Sequence, residues 1–373
     1  MNIGIDIRAL SNSQMSGIGN YIYNSVKTLA QIDNRNNYYL FSSGYRDTVS
    51  TWFDIKKDNV HHIHYKIPNK FLHGGILTGL GPNVTNKTPV KLDLFWLPNL
   101  NFYKSNKNIP TILTIHDLSF LHNTEFYSLK RRLWHKLVKV HSLVKQADKI
   151  IAVSDNTKRD IVRFFSVPKD KVEVIYPGTS ATKIDKEAAE KIIEKFDIKN
   201  KYFLYVGTIE PRKNILNIIK AFDRLHKEHK DIDLVIVGSK GWLYKGIMKM
   251  INTKSYIHYL DYVRGSEKDA LYCMSQGLIW PSFYEGFGFP PLEATFHGIP
   301  VIASYKTSLP EIMKQQALYV DPYNTSDTYQ ALKLLVCDDT LKKDLIESSK
   351  EFEIPNWTKQ TQKILNIFEN TTK

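Results

Sequence analysis

Short apolar runs alternate with helical periodicities from one end of the chain to the other. "NIGID" at the start reads as a buried strand, followed by a polar loop and a helix from about Asn20 to Gln31. "YYLFSS", "LDLFWL", "PTILTIHD" and "KIIAVSD" read as further strands, the last two separated by a long helix, and "KVEVIYPG" closes this half near Gly178. The pattern then restarts. "KYFLYVGT" is a strand, and "ILNIIKAFDRLHKEH" is a helix with apolar residues at 215, 218, 219, 222 and 225. "IDLVIVGS", "SYIHYLDYV", "GLIWPS" and "PVIAS" are strand-like, with helices between them. Such alternation predicts an α/β protein with two parallel sheets, each covered by helices on both faces. We expect two Rossmann-like domains facing across a cleft, 1–178 and 179–354, with a final helical segment, 355–373, packing back towards the first. The polar, charged and partly helical interval from Thr179 to Lys201 carries the linker at its start. Ligands of open α/β sheets bind beyond the carboxyl ends of the strands, so the loops there are the ones to read for chemistry.

Composition narrows the picture. The 373 residues exceed one ordinary core and fit two domains. Hydrophobic content of 42% with 24% charged residues suits a folded, soluble protein. The start shows no basic-then-apolar leader, and no apolar run reaches the length of a membrane span. Cys273 and Cys337 read as reduced core thiols, which places the expected compartment in the cytoplasm. The net charge of +13 is uneven: residues 1–180 hold 24 Lys and Arg against 13 Asp and Glu, the remainder 27 against 25. One half therefore suits an anionic partner, whether nucleic acid, phospholipid or a phosphorylated substrate, although charge added for solubility is equally consistent.

Three loops could carry chemistry. In "SGIGN", residues 16–20, the glycines Gly17 and Gly19 would let backbone N–H groups approach an anion at a helix start, and an ordinary turn explains them as well. The full dinucleotide fingerprint is absent. In "GTIEPRKN", residues 207–214, Arg212 and Lys213 precede a helix, where a guanidinium and an ammonium suit a diphosphate; solvated surface charge is the plain alternative. The third is "YEGFGFPPLEA", residues 284–294. Pro290 and Pro291 fit the first turn of a helix, leaving the amides of Phe287, Gly288, Phe289 and Leu292 at its start. Glu285 and Glu293 can both project into one cleft and accept hydrogen bonds from vicinal hydroxyls. Glu293 could instead be a first-turn acid that complements the helix dipole. His116 stands at a strand end before Asp117.

"PSFYEGFGFPPLEATFHGIPVIAS" resembles the E-x7-E signature of glycosyltransferase family 4, the retaining enzymes of the GT-B fold. "GIDIRALSNSQMSGIGNYI", "TILTIHDLSF", "ADKIIAVSDNTKRDI" and "YFLYVGTIEPRKNI" match that family's other landmarks in order, across nearly the whole chain. The branch most resembled is the bacterial mannosyltransferase-like one that builds surface polysaccharides. The resemblance implies that Glu285 holds hydroxyls of the donor sugar and Glu293 the ribose. It gives the diphosphate to Arg212 and Lys213, assisted by the backbone of Gly17 and Gly19. His116 would contact the donor sugar near the reacting carbon, and Tyr262 and Val263 would lie by the base. Family members often read "VGR" where this chain has Thr208, a departure that Arg212 could compensate. The implied reaction is transfer of a hexose with retention, without a protein nucleophile or a metal, from a nucleotide-sugar to a glycan or polyprenyl-linked acceptor. GDP-mannose is the donor the branch suggests, with UDP-sugars open.

Rival classes fit less well. A glycosidase needs an acid and a base flanking a glycosidic bond and has no use for a basic diphosphate loop. A metal-dependent transferase would want D-x-D at a strand's carboxyl end, whereas Asp231 and Asp233 precede "LVIVG"; no His/Cys cluster has zinc spacing. A basic nucleic-acid-binding protein, or a non-catalytic nucleotide-sugar-binding one, is the alternative, and no nucleic-acid-binding signature appears. From Phe126 to Ala147 there is no acid, while Lys130, Arg131, Arg132, Lys136, Lys139 and Lys145 supply positive charge. Leu129, Leu133, Leu137, Val140 and Val144 recur at helical spacing, predicting one basic amphipathic helix that either packs on the core or docks on an anionic membrane surface. "FLHGGILTGLG", residues 71–81, is a second candidate membrane contact.

Overall fold

In a computed structural model, which describes residues 1–11, 15–49, 51–53, 55–78, 85, 88–104, 106 and 108–372, the chain divides into two compact units. The first gathers Met1–Leu118, Leu129–Gly178 and Pro355–Lys373; the second gathers Ser119–Ser128 and Thr179–Ile354.

The first unit holds strands β1 (Asn2–Asp6), β2 (Asn37–Ser43), β3 (Val60–Tyr65), β4 (Leu94–Leu97), β5 (Thr111–Ile115), β6 (Lys149–Ala152) and β7 (Val172–Val174). They form one parallel sheet in the order β3-β2-β1-β4-β5-β6-β7. Its centre is dry on both faces: every residue of β4 and β5 is buried. Strands of that kind read as near-continuous apolar runs, unbroken in β4 and interrupted in β5 only by Thr111 and Thr114. The edge strand β3, "VHHIHY", has no such run, and its His61 and His62 are exposed. The helix Gly17–Ile32 starts three residues earlier than its apolar pattern suggests, because Ser16 caps it by accepting the Gly19 N–H at 3.2 Å. The last helix, Trp357–Thr371, packs against it and against the sheet: Trp357 meets Tyr21 of the helix edge-on at 5.9 Å, and Phe368 meets Trp96 of β4 at 5.5 Å.

The long basic helix departs from the sequence reading. Two helices, Leu129–Leu137 and Val140–Gln146, replace one. Lys139 stands between them in the left-handed region, at φ +53, where the ladder of helical hydrogen bonds breaks. The second helix buries Val140, Leu143 and Val144; the first buries none of its residues.

The second unit holds β8 (Lys201–Val206), β9 (Ile232–Val237), β10 (Ile257–Leu260), β11 (Leu278–Trp280), β12 (Val301–Ser304) and β13 (Ala317–Val320), parallel throughout in the order β10-β9-β8-β11-β12-β13. The helix Ile215–Glu228 buries Ile215, Ile218, Ile219, Phe222 and Leu225, the stripe that its periodicity marks. The stretch 119–128 belongs to this unit through its aromatic rings. Phe126 stacks on Phe283 at 4.9 Å and Tyr127 on Trp242 at 5.4 Å, while Trp242 Nε1 donates to the Phe126 carbonyl at 2.6 Å. The two cysteines are unpaired but neither is a core thiol: Cys273 is half-buried and Cys337 exposed, the latter ending a helix on its outer side. Both sheets reverse their strand order once, at β1/β4 and at β8/β11. The loops that leave the carboxyl ends of those neighbours diverge and frame a crevice.

Candidate functional site

At the reversal of the second sheet, the loop after β8 meets the loop after β11. Residues Pro211–Lys213 form one 3-10 turn, ended by Asn214 at φ +60. Asn214 is suited to that left-handed position, and its Nδ2 donates to the carbonyls of Pro281 (2.9 Å) and Pro322 (2.6 Å). The Phe283 N–H donates to the Arg212 carbonyl at 3.0 Å. These bonds seat "EPRKN" against "PSFYE", residues some 70 positions apart in sequence.

The side chains form a buried alternation of charge. Glu285 accepts from Lys213 Nζ at 2.7 and 2.9 Å, from Arg212 Nη1 at 3.3 Å and from Ser282 Oγ at 2.7 Å. Arg212 also donates from Nη1 to the Tyr284 carbonyl at 2.6 Å, and it pairs with Glu210 at 2.8 Å. Glu210, Arg212 and Glu285 are all buried. Lys213 Nζ lies 4.7 Å from the centre of the Trp280 ring. Burial alone would raise the Glu285 carboxyl, but Lys213 and Arg212 together hold it below its ordinary value. Burial and the neighbouring Arg212 push Lys213 down, against the pull of Glu285 and Glu210. The cluster thus offers an ionised carboxylate beside two cations, a pattern that can take hydroxyls on one side and an anion on the other.

Beyond Glu285 the chain turns through Gly288 into the helix Phe289–Phe296. Gly288 has φ +121, and a Cβ there would lie 2.9 Å from Leu309 Cδ2, so this entry requires glycine. Pro290 and Pro291 occupy the first turn, as their missing N–H groups favour, and no side chain caps the helix start. Phe287 meets Phe289 edge-on at 5.3 Å, and Leu292 is buried. Ser308 Oγ lies within hydrogen-bond distance of the carbonyls of Glu285 and Phe287. Glu293 is not the first-turn acid of the plain alternative. It is the fifth residue of the helix and buried, where it accepts from Lys268 Nζ at 2.6 Å and Tyr272 OH at 3.0 Å. Both partners stand on the helix Ser266–Cys273, which follows the loop carrying Tyr262 and Val263 after β10. Burial would lower Lys268, but Glu293 raises it overall.

The remaining expected residues lie in the first unit. His116 is half-buried directly after β5, its ring edge-on to Tyr21 at 4.8 Å. Its Nε2 is 2.8 Å from the Pro98 carbonyl, which can only accept, so Nε2 carries the proton. Burial lowers its pKa and keeps the ring neutral, which makes Nδ1 an acceptor. Gly17 is exposed as the first helical residue, whereas the Gly19 N–H is already engaged by Ser16. Both glycines therefore lie inside the helix and not in the loop before it. Asp233, of the discounted D-x-D, pairs with His258 at 2.8 Å near the amino end of β9. Among the described residues no three His, Cys, Asp or Glu are grouped to hold a metal ion.

Sequence reasoning missed Glu210, Ser282, Lys268 and Tyr272. Glu210 and Ser282 lie within the quoted motifs, and their closeness to Arg212 and Glu285 was a usable signal. Lys268 and Tyr272 gave none, because "SEKDALYC" reads as an ordinary surface helix.

With this geometry in view, comparison with known proteins is informative. The family model described as "Glycosyltransferase Family 4" matches residues 15–183, and "Glycosyl transferases group 1" matches residues 186–352. The chain is 32% identical over 273 residues to O-antigen chain mannosyltransferase B of Escherichia coli, covering 70% of this chain and 71% of that protein. O-antigen chain mannosyltransferase RfbU of Salmonella typhimurium is 30% identical over 225 residues, 59% of each. Serotype-specific mannosyltransferase WbdA of Escherichia coli is 26% identical over 254 residues, which are 64% of this chain but 31% of that longer protein. Among solved structures, sucrose-phosphate synthase from Thermosynechococcus elongatus superimposes with a TM-score of 0.76 at 17% identity, over 99% of this chain and 98% of that one. The lipopolysaccharide glycosyltransferase WaaG gives 0.75 at 13% identity, over 98% and 99%. Anabaena Alr3699/HepE, in complex with UDP-glucose, gives 0.73 at 14%, over 99% and 100%. These likenesses give the GT-B class of fold and do not support the reading as a nucleic-acid-binding protein.

Proposed function

Starting from the chain's membership of glycosyltransferase family 4, we propose that it transfers mannose from GDP-mannose to a polyprenyl-linked glycan during synthesis of a surface polysaccharide. The observation that carries this reading is the buried cluster of Glu285 with Arg212 and Lys213 at the strand-order reversal of the second sheet. Mannose is supported by the relatives' names, since two of them are O-antigen chain mannosyltransferases. A UDP-sugar is the second reading, favoured by the likeness to a fold that holds UDP-glucose.

In this reading Lys213 and Arg212 meet the donor diphosphate, and Glu285, released in part from Lys213, accepts hydroxyls of the sugar. Glu293 holds the ribose, with the backbone of Phe287, Gly288, Phe289 and Leu292 beside it, and Tyr262 and Val263 lie by the base. For His116 we keep the contact with the donor sugar, made through its neutral Nδ1, and for Gly17 an amide near the phosphates. The bond from the anomeric carbon to the diphosphate oxygen breaks as the acceptor oxygen bonds to the same face of that carbon. The acceptor's proton passes to the departing diphosphate, so no protein nucleophile is needed. The chain's contribution is positioning and stabilisation of the leaving group's charge. The work is done at the inner face of the cell membrane, where a lipid-linked acceptor is within reach of a peripheral protein.

Thermal shifts across a panel of sugar nucleotides test the donor. GDP-mannose and GDP are expected to stabilise the chain most; stabilisation by UDP-glucose and not by GDP-mannose would replace mannose with the second reading.

A further inference from the structure

On the carboxyl side of the second sheet, aromatic rings continue outward from the buried glutamate–cation cluster. Phe283 stands two residues before Glu285 in the loop after β11, and its N–H donates to the Arg212 carbonyl at 3.0 Å. Its half-buried ring touches two others. Phe126 stacks on it at 4.9 Å, and Tyr323, in the loop after β13, meets it at 4.9 Å with 66% of its surface exposed. Lys306 Nζ lies 5.9 Å from the centre of the Tyr323 ring and 4.6 Å from that of Tyr305, which follows β12 and is 45% exposed. These four rings and one cation form a continuous row, all of it carried by the second unit.

The outer end of the row is held under strain. Thr307 has φ +59, a left-handed backbone that its β-branched side chain disfavours. Strain of this kind persists only where the surroundings enforce it, and it gathers at ligand clamps. What enforces it here is the loop of Glu285. The Glu285 N–H donates to Thr307 Oγ1 at 3.0 Å, and Thr307 Oγ1 donates to the Lys306 carbonyl at 2.8 Å. The buried Ser308 ties the same turn to the Glu285 and Phe287 carbonyls, at 3.0 and 2.8 Å. Tyr305 and Lys306 are thus fixed relative to the carboxylate that takes the sugar hydroxyls, while their rings and charge face outward.

We propose that this row binds hexose rings of the acceptor glycan and leads them to the donor sugar at Glu285. A pyranose presents a face of C–H groups and a rim of hydroxyls. The C–H face packs on the electron-rich face of an aromatic ring, and the rim hydrogen-bonds to flanking polar groups. Tyr323, Phe283 and Tyr305 supply the faces. Lys306 supplies a donor, and Asp321, which accepts the Tyr323 N–H at 3.0 Å, supplies an acceptor. A nucleobase would stack equally well, but the nucleotide is drawn the other way: Glu293 is tied to the helix that follows β10, at the opposite edge of the sheet from β12 and β13. A second copy of the chain needs about 800 Å² on each partner for a stable interface, more than four rings that partly cover one another provide. The proposal rests on the glycosyltransferase reading for the place of the donor sugar and adds a place for the acceptor.

The test is saturation-transfer NMR titration of the full chain with four tetrasaccharides, built from mannose, glucose, galactose or N-acetylglucosamine. Calorimetric binding of GDP and UDP is measured on the same samples. The wild type is expected to bind at least one tetrasaccharide more tightly than the corresponding monosaccharide. Changing Tyr305 and Tyr323 together to Ala should weaken that binding about tenfold. Tyr323→Phe should retain it, because the ring and not the hydroxyl is the platform. Both tyrosines are exposed, so the variants should fold and keep wild-type affinity for the nucleoside diphosphate. No tetrasaccharide bound by the wild type, or undiminished binding by the double variant, would overturn the proposal. So would a wild-type dimer that the double variant dissolves in sedimentation velocity, since the row would then belong to a second copy. A chain that binds a tetrasaccharide through this row yet binds neither nucleoside diphosphate contradicts the donor reading and leaves the row standing; nucleotide binding without tetrasaccharide binding does the reverse.

Discussion

At the scale of single residues, Glu285 concentrates the argument. It is a buried carboxylate kept ionised by two cations, so a neutral replacement disturbs both the reaction and the local charge balance. Glu285→Ala should lower turnover by about 100-fold or more, the scale of a lost preorganised contact, measured by steady-state kinetics. The sign of its pH effect follows from its depressed pKa. The ionised pairing contributes stability that is complete above the ordinary glutamate value of 4.5 and is lost as the pH falls through the lower native value. Urea unfolding between neutral and acid pH should therefore show wild type losing stability below about pH 4.5 more steeply than Glu285→Gln. Equal slopes would mean that Glu285 is not held ionised by its neighbours. Glu293→Ala should act differently, raising the donor Michaelis constant with little change in turnover, because the ribose contact proposed for it changes little during reaction. Lys268→Met should move the same constant in the same direction by less, since Tyr272 still holds the carboxylate. A fall in turnover with an unchanged Michaelis constant would remove Lys268 from that role.

At the scale of elements, the loops work because the carboxyl ends of neighbouring strands approach closely. Gly238, at the end of β9, has φ +143, and a Cβ there would lie 2.0 Å from the Gly207 carbonyl oxygen. Gly238→Ala should cost at least roughly 1–3 kcal/mol, read as a lower urea midpoint at constant slope. It should also weaken nucleotide binding by displacing the start of the Gly207–Asn214 loop. Sequence reading succeeds at this scale where burial is two-sided. "LFWL" and "LVIV" are unbroken apolar runs and become interior strands. It fails where burial is one-sided or absent: the edge strand "VHHIHY" carries histidines on its exposed positions and shows no run. It also fails at Lys139, because nothing in "KLVKVHS" marks a lysine that adopts a left-handed backbone. Within the site, Glu285, Arg212 and Lys213 were legible because each motif is compact in sequence. The ties of Glu293 to Lys268 and Tyr272 were not, since they depend on how two helices from separate β-α units pack.

At the scale of the whole molecule, two parallel-sheet units divide the chemistry. The second holds the buried glutamate–cation cluster and the neutral balance of charge; the first half carries most of the net positive charge and the exposed leucine stripe. Among the described residues no helix is long and apolar enough to cross a membrane. Of the stretch 71–81 that the sequence suggested as a membrane contact, residues 79–81 lie outside the described residues. The central claim is that the donor's diphosphate is held by Arg212 and Lys213 beside Glu285. Its most direct test is titration calorimetry of GDP against wild type, Arg212→Ala and Lys213→Ala, with circular dichroism to confirm that each variant is folded. Loss of one charged hydrogen-bonding partner should weaken GDP binding by roughly 10- to 100-fold in each variant. Affinity unchanged in both folded variants would place the phosphates elsewhere and contradict the account.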